Sequence, residues 1–260
     1  GSEMCIRDST KSGRKVGNRT VRNPLSKTIE QIKPSGIRKF FDIVSEMPHA
    51  ISLGVGEPDF DTPWHVRSEG IRSLEKGRTF YTSNSGLIEL RQEICKWYQR
   101  KYNVLYDYKT EALLTVGGSE GIDVALRAML DPGDEVIIPE PCYVSYVPCV
   151  QLIGAVPVTI ELKNENQFRL TPEELLAAIT DKTKILILAF PSNPTGAVMT
   201  KEDLEPIAKI CQEKDIYVIS DEIYSELTYG GQKHCSISSL PGMKDRTIVI
   251  NGFSKAYAMT

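Results

Sequence analysis

Lys184-Ile185-Leu186-Ile187-Leu188-Ala189-Phe190 runs straight into Pro191-Ser192-Asn193-Pro194-Thr195-Gly196. An apolar run of strand length without polar alternation reads as a strand buried on both faces, and the prolines and glycine behind it end it abruptly. Similar runs occur at Leu113 to Val116, Glu135 to Pro139, Val156 to Leu162, Ile216 to Ser220 and Thr247 to Asn251. Most are separated by helical patterns, at Glu120 to Leu130, Pro172 to Ile179 and Lys201 to Glu213. Apolar strands alternating with helices predict an α/β fold: a mostly parallel sheet with helices on both faces.

Upstream of the sheet, Leu87, Leu90, Ile94, Trp97 and Tyr98 recur at helical spacing and predict a helix over Leu87 to Tyr102. Residues 1–22 are polar and basic without apolar periodicity and are expected to be a disordered tail, with Gly1-Ser2 resembling a cleavage scar. Residues 23–60 are read as an arm with part of a small domain, holding an amphipathic segment and a short strand from Ile51 into the turn at Gly56. Residues 61–260 are read as one large α/β unit.

Composition narrows the function classes. The 260 residues are 41% hydrophobic, and 31 basic against 34 acidic residues give a net charge of −3, without the electropositive face that nucleic acid or anionic lipid requires. No apolar stretch has the length of a membrane span. The six cysteines form no Cys-x-x-Cys pair and read as reduced thiols, which points to the cytoplasm.

In open parallel sheets ligands bind beyond the carboxyl ends of the strands, so the residues at those ends are the candidates for a site. Gly117-Gly118-Ser119-Glu120 joins a strand to a helix; free N–H groups there suit a phosphate, and a plain capped junction is the alternative. Asp221 ends an apolar strand and either meets a cationic partner or caps the following helix near Glu222 and Ile223. Asn193 either serves a ligand or makes a turn with Pro194. Tyr143 is an aromatic for stacking or for core packing. Lys255, in Gly252-Phe253-Ser254-Lys255, brings an amine to the end of a buried strand, as an enzyme holding an aldehyde cofactor in a Schiff base needs.

Asn193-Pro194-Thr195-Gly196, Asp221-Glu222-Ile223-Tyr224 and Ser254-Lys255, with Gly117-Gly118-Ser119, together resemble the class I and II aminotransferases, pyridoxal 5'-phosphate enzymes of fold type I. The resemblance runs from about Ser26 to the last residue. It implies that Lys255 anchors the cofactor and moves the substrate proton, that Asp221 pairs with the pyridine nitrogen, and that Asn193 and Tyr224 bond the ring hydroxyl. It further implies that Tyr143 stacks on the ring, and that Gly118, Ser119, Glu120 and Ser254 surround the phosphate. Tyr81 would reach the phosphate of the neighbouring subunit in a homodimer, and Gly56 and Asn193 would border the substrate.

The implied chemistry is a ping-pong transamination between an amino acid and a 2-oxo acid, of the aspartate or aromatic type. A β-lyase on the same fold and a non-catalytic regulatory domain are the alternatives. Neither a metal nor a nucleic-acid partner is implied. Family members continue beyond the Schiff-base lysine with a strand inserted beside Leu113 to Val116, phosphate- and carboxylate-binding arginines and most of the small domain. On that ground the chain is expected to be an incomplete form with poor activity alone.

Overall fold

A computed structural model of the chain describes residues 22–32 and 56–260, together with 15–16, 19–20, 43, 46–47 and 49. The expectations for the tail, for most of the arm and for a strand from Ile51 to Val55 lie outside the described residues. Two short strands, β1 (Lys15–Val16) and β2 (Arg19–Thr20), pair antiparallel apart from the main sheet. Helices α1 (Lys27–Gln31), α2 (Trp64–Glu75) and α3 (Ile88–Tyr102) lead to the α/β body. Ser26 caps α1, its hydroxyl accepting from the Ile29 N–H.

The body alternates helix and strand up to β6: α4 (Gly117–Met129), β3 (Glu135–Glu140), α5 (Tyr146–Ile153), β4 (Val156–Glu161), α6 (Pro172–Ala178), β5 (Thr183–Ala189), α7 (Lys201–Glu213) and β6 (Tyr217–Asp221), after which β7 (Thr247–Ile250) and α8 (Phe253–Ala256) follow. Strands β3 to β7 form a five-stranded parallel sheet in the order β4-β3-β5-β6-β7. Helices α6 and α7 start where chemistry dictates. Thr171 and Thr200 accept from the N–H groups of Glu174 and Asp203, whose carboxylates return the bond to the threonine N–H, closing a capping box at each end.

Successive side chains on a strand point to opposite faces, and the two halves of the core follow that parity. Ile137, Leu186, Leu188 and Val218 pack against α6 and α7 with Leu175, Leu204 and Ile207. Val136, Ile138, Ile185, Ile187, Ile219 and Ile250 pack on the other face against α4 and α5 with Leu126, Tyr146 and Val150. The expected two-sided burial of a parallel sheet is therefore present. At the end of β6 the same parity puts Asp221 on the α4/α5 side, with Ile219, and Glu222 on the α6/α7 side, with Val218.

Two expectations need correction. Leu113 to Val116 forms no strand: Leu113 and Val116 are exposed, and among the described residues the run donates its N–H groups to Ser85 C=O, from Leu114, and to the Glu120 carboxylate, from Val116. With no strand beside it to complete a ladder, an apolar run of four residues has no reason to extend. Gly117-Gly118-Ser119 is the first turn of α4 rather than a linker ahead of it, so that helix begins three residues before its expected start at Glu120.

Ile219 is fully buried at the centre of β6. Ile219→Ala should cost about 2–5 kcal/mol of unfolding free energy, read from the midpoint of a denaturant titration with unchanged slope.

Candidate active site

The chain moves outward from β3 to β4 on one side, then returns across β3 to lay down β5, β6 and β7 on the other. The reversal opens a crevice at the carboxyl ends of β3 and β5, where open α/β sheets bind ligands. Tyr143 follows β3, Asn193 follows β5, Asp221 closes β6, and Lys255 lies just beyond β7.

Asp221 is 8% exposed, and both of its oxygens are engaged. The Tyr146 hydroxyl donates to Oδ2 at 2.7 Å, and the Ile223 N–H donates to Oδ1 at 3.2 Å. Burial pushes the Asp221 carboxyl above its usual range; the bonds from Tyr146 and Ile223 pull the other way, and the neighbouring negative charge of Glu222 adds to the rise. Among the described residues no lysine, arginine or histidine is ion-paired with it. The expected helix after Asp221 is absent: the segment is a turn, and the bond from Ile223 closes that turn. It leaves a buried carboxylate with no cation beside it, a costly arrangement.

Tyr146 was missed from the sequence. It is buried in the first turn of α5, its burial and the adjacent Asp221 raise its own pKa, and its ring meets that of Tyr143 edge-on at 5.6 Å. The only signal for it was spacing. Tyr143 and Tyr146 are three residues apart where a helix begins, which places both on the side facing the sheet end.

The other candidates are tied to Asp221 by contact. The Tyr143 hydroxyl lies 3.3 Å from Ser119 Oγ at the start of α4. The Tyr224 hydroxyl lies beside the Asn193 side chain, and its pKa is raised, first by burial and then by Asp221, with Asn193 pulling the other way. A Cβ on Gly56 would stand 3.7 Å from that same hydroxyl, and the Lys255 amine donates to the Gly56 carbonyl. Ser254 shares the single turn of α8 with Lys255.

Close approaches hold these segments together. A Cβ on Gly121 would meet Ile250 Cδ1 at 3.3 Å, so glycine there lets the first turns of α4 settle on the end of β7. A Cβ on Gly252 would stand 2.9 Å from Ile223 Cδ1 and would have to push the end of that side chain aside. That contact sets the Lys255 turn against the Asp221–Tyr224 turn. Two candidates behave differently. The Glu120 carboxylate turns back to accept from the Val116 N–H at the start of its own helix, and Tyr81 is fully exposed with no hydrogen bond to the described residues.

A helix start, a buried carboxylate, an amide with a phenol, and an amine thus surround one end of a parallel sheet. The sequence profile of the family described as "Aminotransferase class I and II" matches residues 48–260. The chain belongs to this family. It is 51% identical to the "Putative aminotransferase YugH" of Bacillus subtilis over 91% of this chain and 61% of that protein. It is 46% identical to "Aromatic-amino-acid aminotransferase 2" of Thermococcus litoralis, over the same shares of each. Its fold superposes on aspartate aminotransferase from Thermus thermophilus with maleate at a TM-score of 0.85 and 38% identity, covering 92% of this chain and 62% of that one. The chain therefore spans about three fifths of the length of these relatives.

Members of this family use pyridoxal 5'-phosphate, and the residues present suit that group. The cationless, buried Asp221 matches a protonated pyridine nitrogen, and the Asn193–Tyr224 pair offers bonds to a ring hydroxyl. At the start of α4 the Gly117 N–H donates to Thr115 C=O, while the N–H groups of Gly118 and Ser119 have no partner among the described residues and can face a phosphate.

Because burial raises the folded-state pKa of Asp221 above its unfolded value, the native state holds a proton there more readily than the unfolded chain. Stability therefore falls as pH rises through that interval. Asp221→Asn removes the cost while its amide and carbonyl still meet Tyr146 and Ile223. Calorimetry of the cofactor-free protein should show a higher unfolding temperature for the variant at about pH 7, with the gain shrinking toward about pH 4.

Proposed function

We propose that this chain is the cofactor-binding part of an aminotransferase that moves an amino group from an amino acid to a 2-oxo acid by a ping-pong route. The observation that carries the reading is the buried Asp221, without a cation of its own, in one neighbourhood with Asn193, Tyr224 and Lys255. Lys255 is read as the catalytic amine, Asp221 and Tyr143 as its partners in tuning and stacking the ring, and Asn193 and Tyr224 as ligands of the ring hydroxyl. Gly118, Ser119, Glu120 and Ser254 are read as phosphate contacts. For Glu120 that contact is the backbone N–H, since its carboxylate is turned away. Gly56 is read as a substrate neighbour.

Bound pyridoxal 5'-phosphate supplies an aldehyde that condenses with amines and a pyridine ring that withdraws electrons from the substrate α-carbon. Lys255 Nζ would hold the group through its aldehyde carbon and, as a free amine, would carry the proton of the substrate α-carbon. An Asp221 carboxylate keeps the ring nitrogen protonated. Tyr146, by donating to Oδ2, favours that carboxylate and fixes its orientation. Tyr143, braced by Tyr146 and Ser119, holds the ring plane.

Aspartate or an aromatic amino acid is the donor class we favour, supported by the names of the relatives. We read residues 61–260 as the large cofactor-binding unit and 23–60 as the arm leading into it. A homodimer is proposed from α2 and the segment after it, where Trp64, Ile71, Leu74, Phe80 and Tyr81 are exposed although large and apolar. A second copy covering them would carry Tyr81 to the partner's phosphate site. Cytoplasmic residence follows from the free state of every described cysteine. Among the described residues no helix is long and apolar enough to cross a membrane.

Lys255→Ala should abolish the violet absorption band that forms on adding pyridoxal 5'-phosphate to the full-length protein, and lower transamination roughly 10³-fold or more. A band of equal strength in the variant would sink the assignment. Product analysis separates the rival on the same fold: transfer to 2-oxoglutarate supports transamination, whereas pyruvate with ammonia from a β-substituted amino acid marks a lyase. In sedimentation experiments Leu74→Asp should shift the protein from dimer to monomer.

A further inference from the structure

One residue beyond Asp221, on the opposite face of the sheet, lies a second buried carboxylate that the chemistry above does not use. Glu222 is completely buried. Its Oε1 accepts from the hydroxyls of Ser220, at 3.0 Å, and Ser236, at 2.7 Å. Its Oε2 faces His234 Nε2 at 3.1 Å, and the His234 side chain is 4% exposed. Neither of these two atoms has an aligned hydrogen-bond partner, so their contact is bent. Imidazole and carboxylate thus face each other in a space closed to water, where an unbalanced charge is costly.

Arg100, Lys201, Glu202 and Lys233 line the open hollow beside His234, outside the sealed space that holds Glu222. The titratable side chains around the pair are Tyr98 and Tyr102 of α3, Tyr106 and Cys235, all kept neutral because burial, with Glu222 adding to it, raises their pKa values. Lys101, near Tyr102, is bound to Glu226. The pair is also wired to the site by the backbone. The Glu222 N–H donates to Ile250 C=O at 2.8 Å, and its own C=O accepts from the Ser225 N–H at 2.9 Å, closing the turn that bears Tyr224. Ser225 Oγ in turn accepts from Asn251, at the head of the Lys255 segment.

We propose that the Glu222–His234 pair is a positioning element of the cofactor site: it anchors the Asp221–Tyr224 turn from behind and supplies the positive charge that balances Glu222 one residue from Asp221. The inference rests on the cofactor reading above. Without the imidazolium, Glu222 is a bare buried charge that opposes ionisation of Asp221, and a protonated Asp221 cannot pair with a protonated ring nitrogen.

The test is a double-mutant cycle on the full-length protein, using pyridoxal 5'-phosphate as the probe and its Lys255-dependent violet band as the readout, with thermal unfolding of each cofactor-free variant in parallel. His234→Gln should weaken cofactor affinity roughly tenfold. Glu222→Gln, which keeps the acceptor for both serines and removes the charge, should restore it to within about threefold of wild type when added to His234→Gln. Glu222→Gln alone should bind no more weakly than that double variant, which gives a reading even where His234→Gln does not fold. Wild-type affinity in His234→Gln, or equal loss in the single and double His234 variants, overturns the proposal while the wild-type band leaves the cofactor reading standing. A wild-type protein without the band overturns both.

Discussion

The structure turns on the burial of one carboxylate at the carboxyl end of a central strand. Asp221 is carried there by Val218 and Ile219, whose own burial leaves β6 no freedom to slide, since a shift of one residue would exchange the contents of the two faces. Hydrophobic packing thus supplies the force, and the cost of desolvating the carboxylate is the local price. Tyr146 and the Ile223 N–H offset part of that cost. What remains uncompensated is a preference for positive charge at one point in a crevice. A site of this kind is built before any ligand arrives, because its geometry belongs to the core.

Much of this was legible in the sequence, for physical reasons that differ by element. Helix α7 coincides with its expected span because Thr200 and Asp203 make a capping box that fixes its first residue. The strands β3 to β7 fall within one or two residues of their apolar runs, since two-sided burial leaves no alternation to misread. Leu113 to Val116 failed because an apolar run only states that a strand is possible; a ladder also needs a neighbour, which is a tertiary fact. The start of α4 was misplaced because glycines are read as turn formers, whereas here they allow a helix to lie close against Ile250.

At the site, the residues of chain-local motifs were recognisable, while those defined by distant partners were not. Asp221, Asn193, Tyr224 and Lys255 each belong to a short pattern at a strand end. Tyr146 and His234 are ordinary residues until the fold brings them to Asp221 and Glu222, with 75 residues separating Tyr146 from its acceptor. Glu222 was read only as the neighbour of Asp221. Strand parity, which assigns the two acids to opposite faces and hence to separate networks, could have flagged it as soon as β6 was recognised.

The strand order also bears on biogenesis. After the reversal the sheet grows in one direction, β5, β6 and β7 being added in the order in which a ribosome delivers them. Asp221, Asn193 and Tyr224 are in place while the reactive amine is still unmade or unplaced, since Lys255 arrives only with the docking of β7. The cluster at the sheet end is therefore complete only once β7 has paired with β6, so its assembly reports on the closing of the sheet.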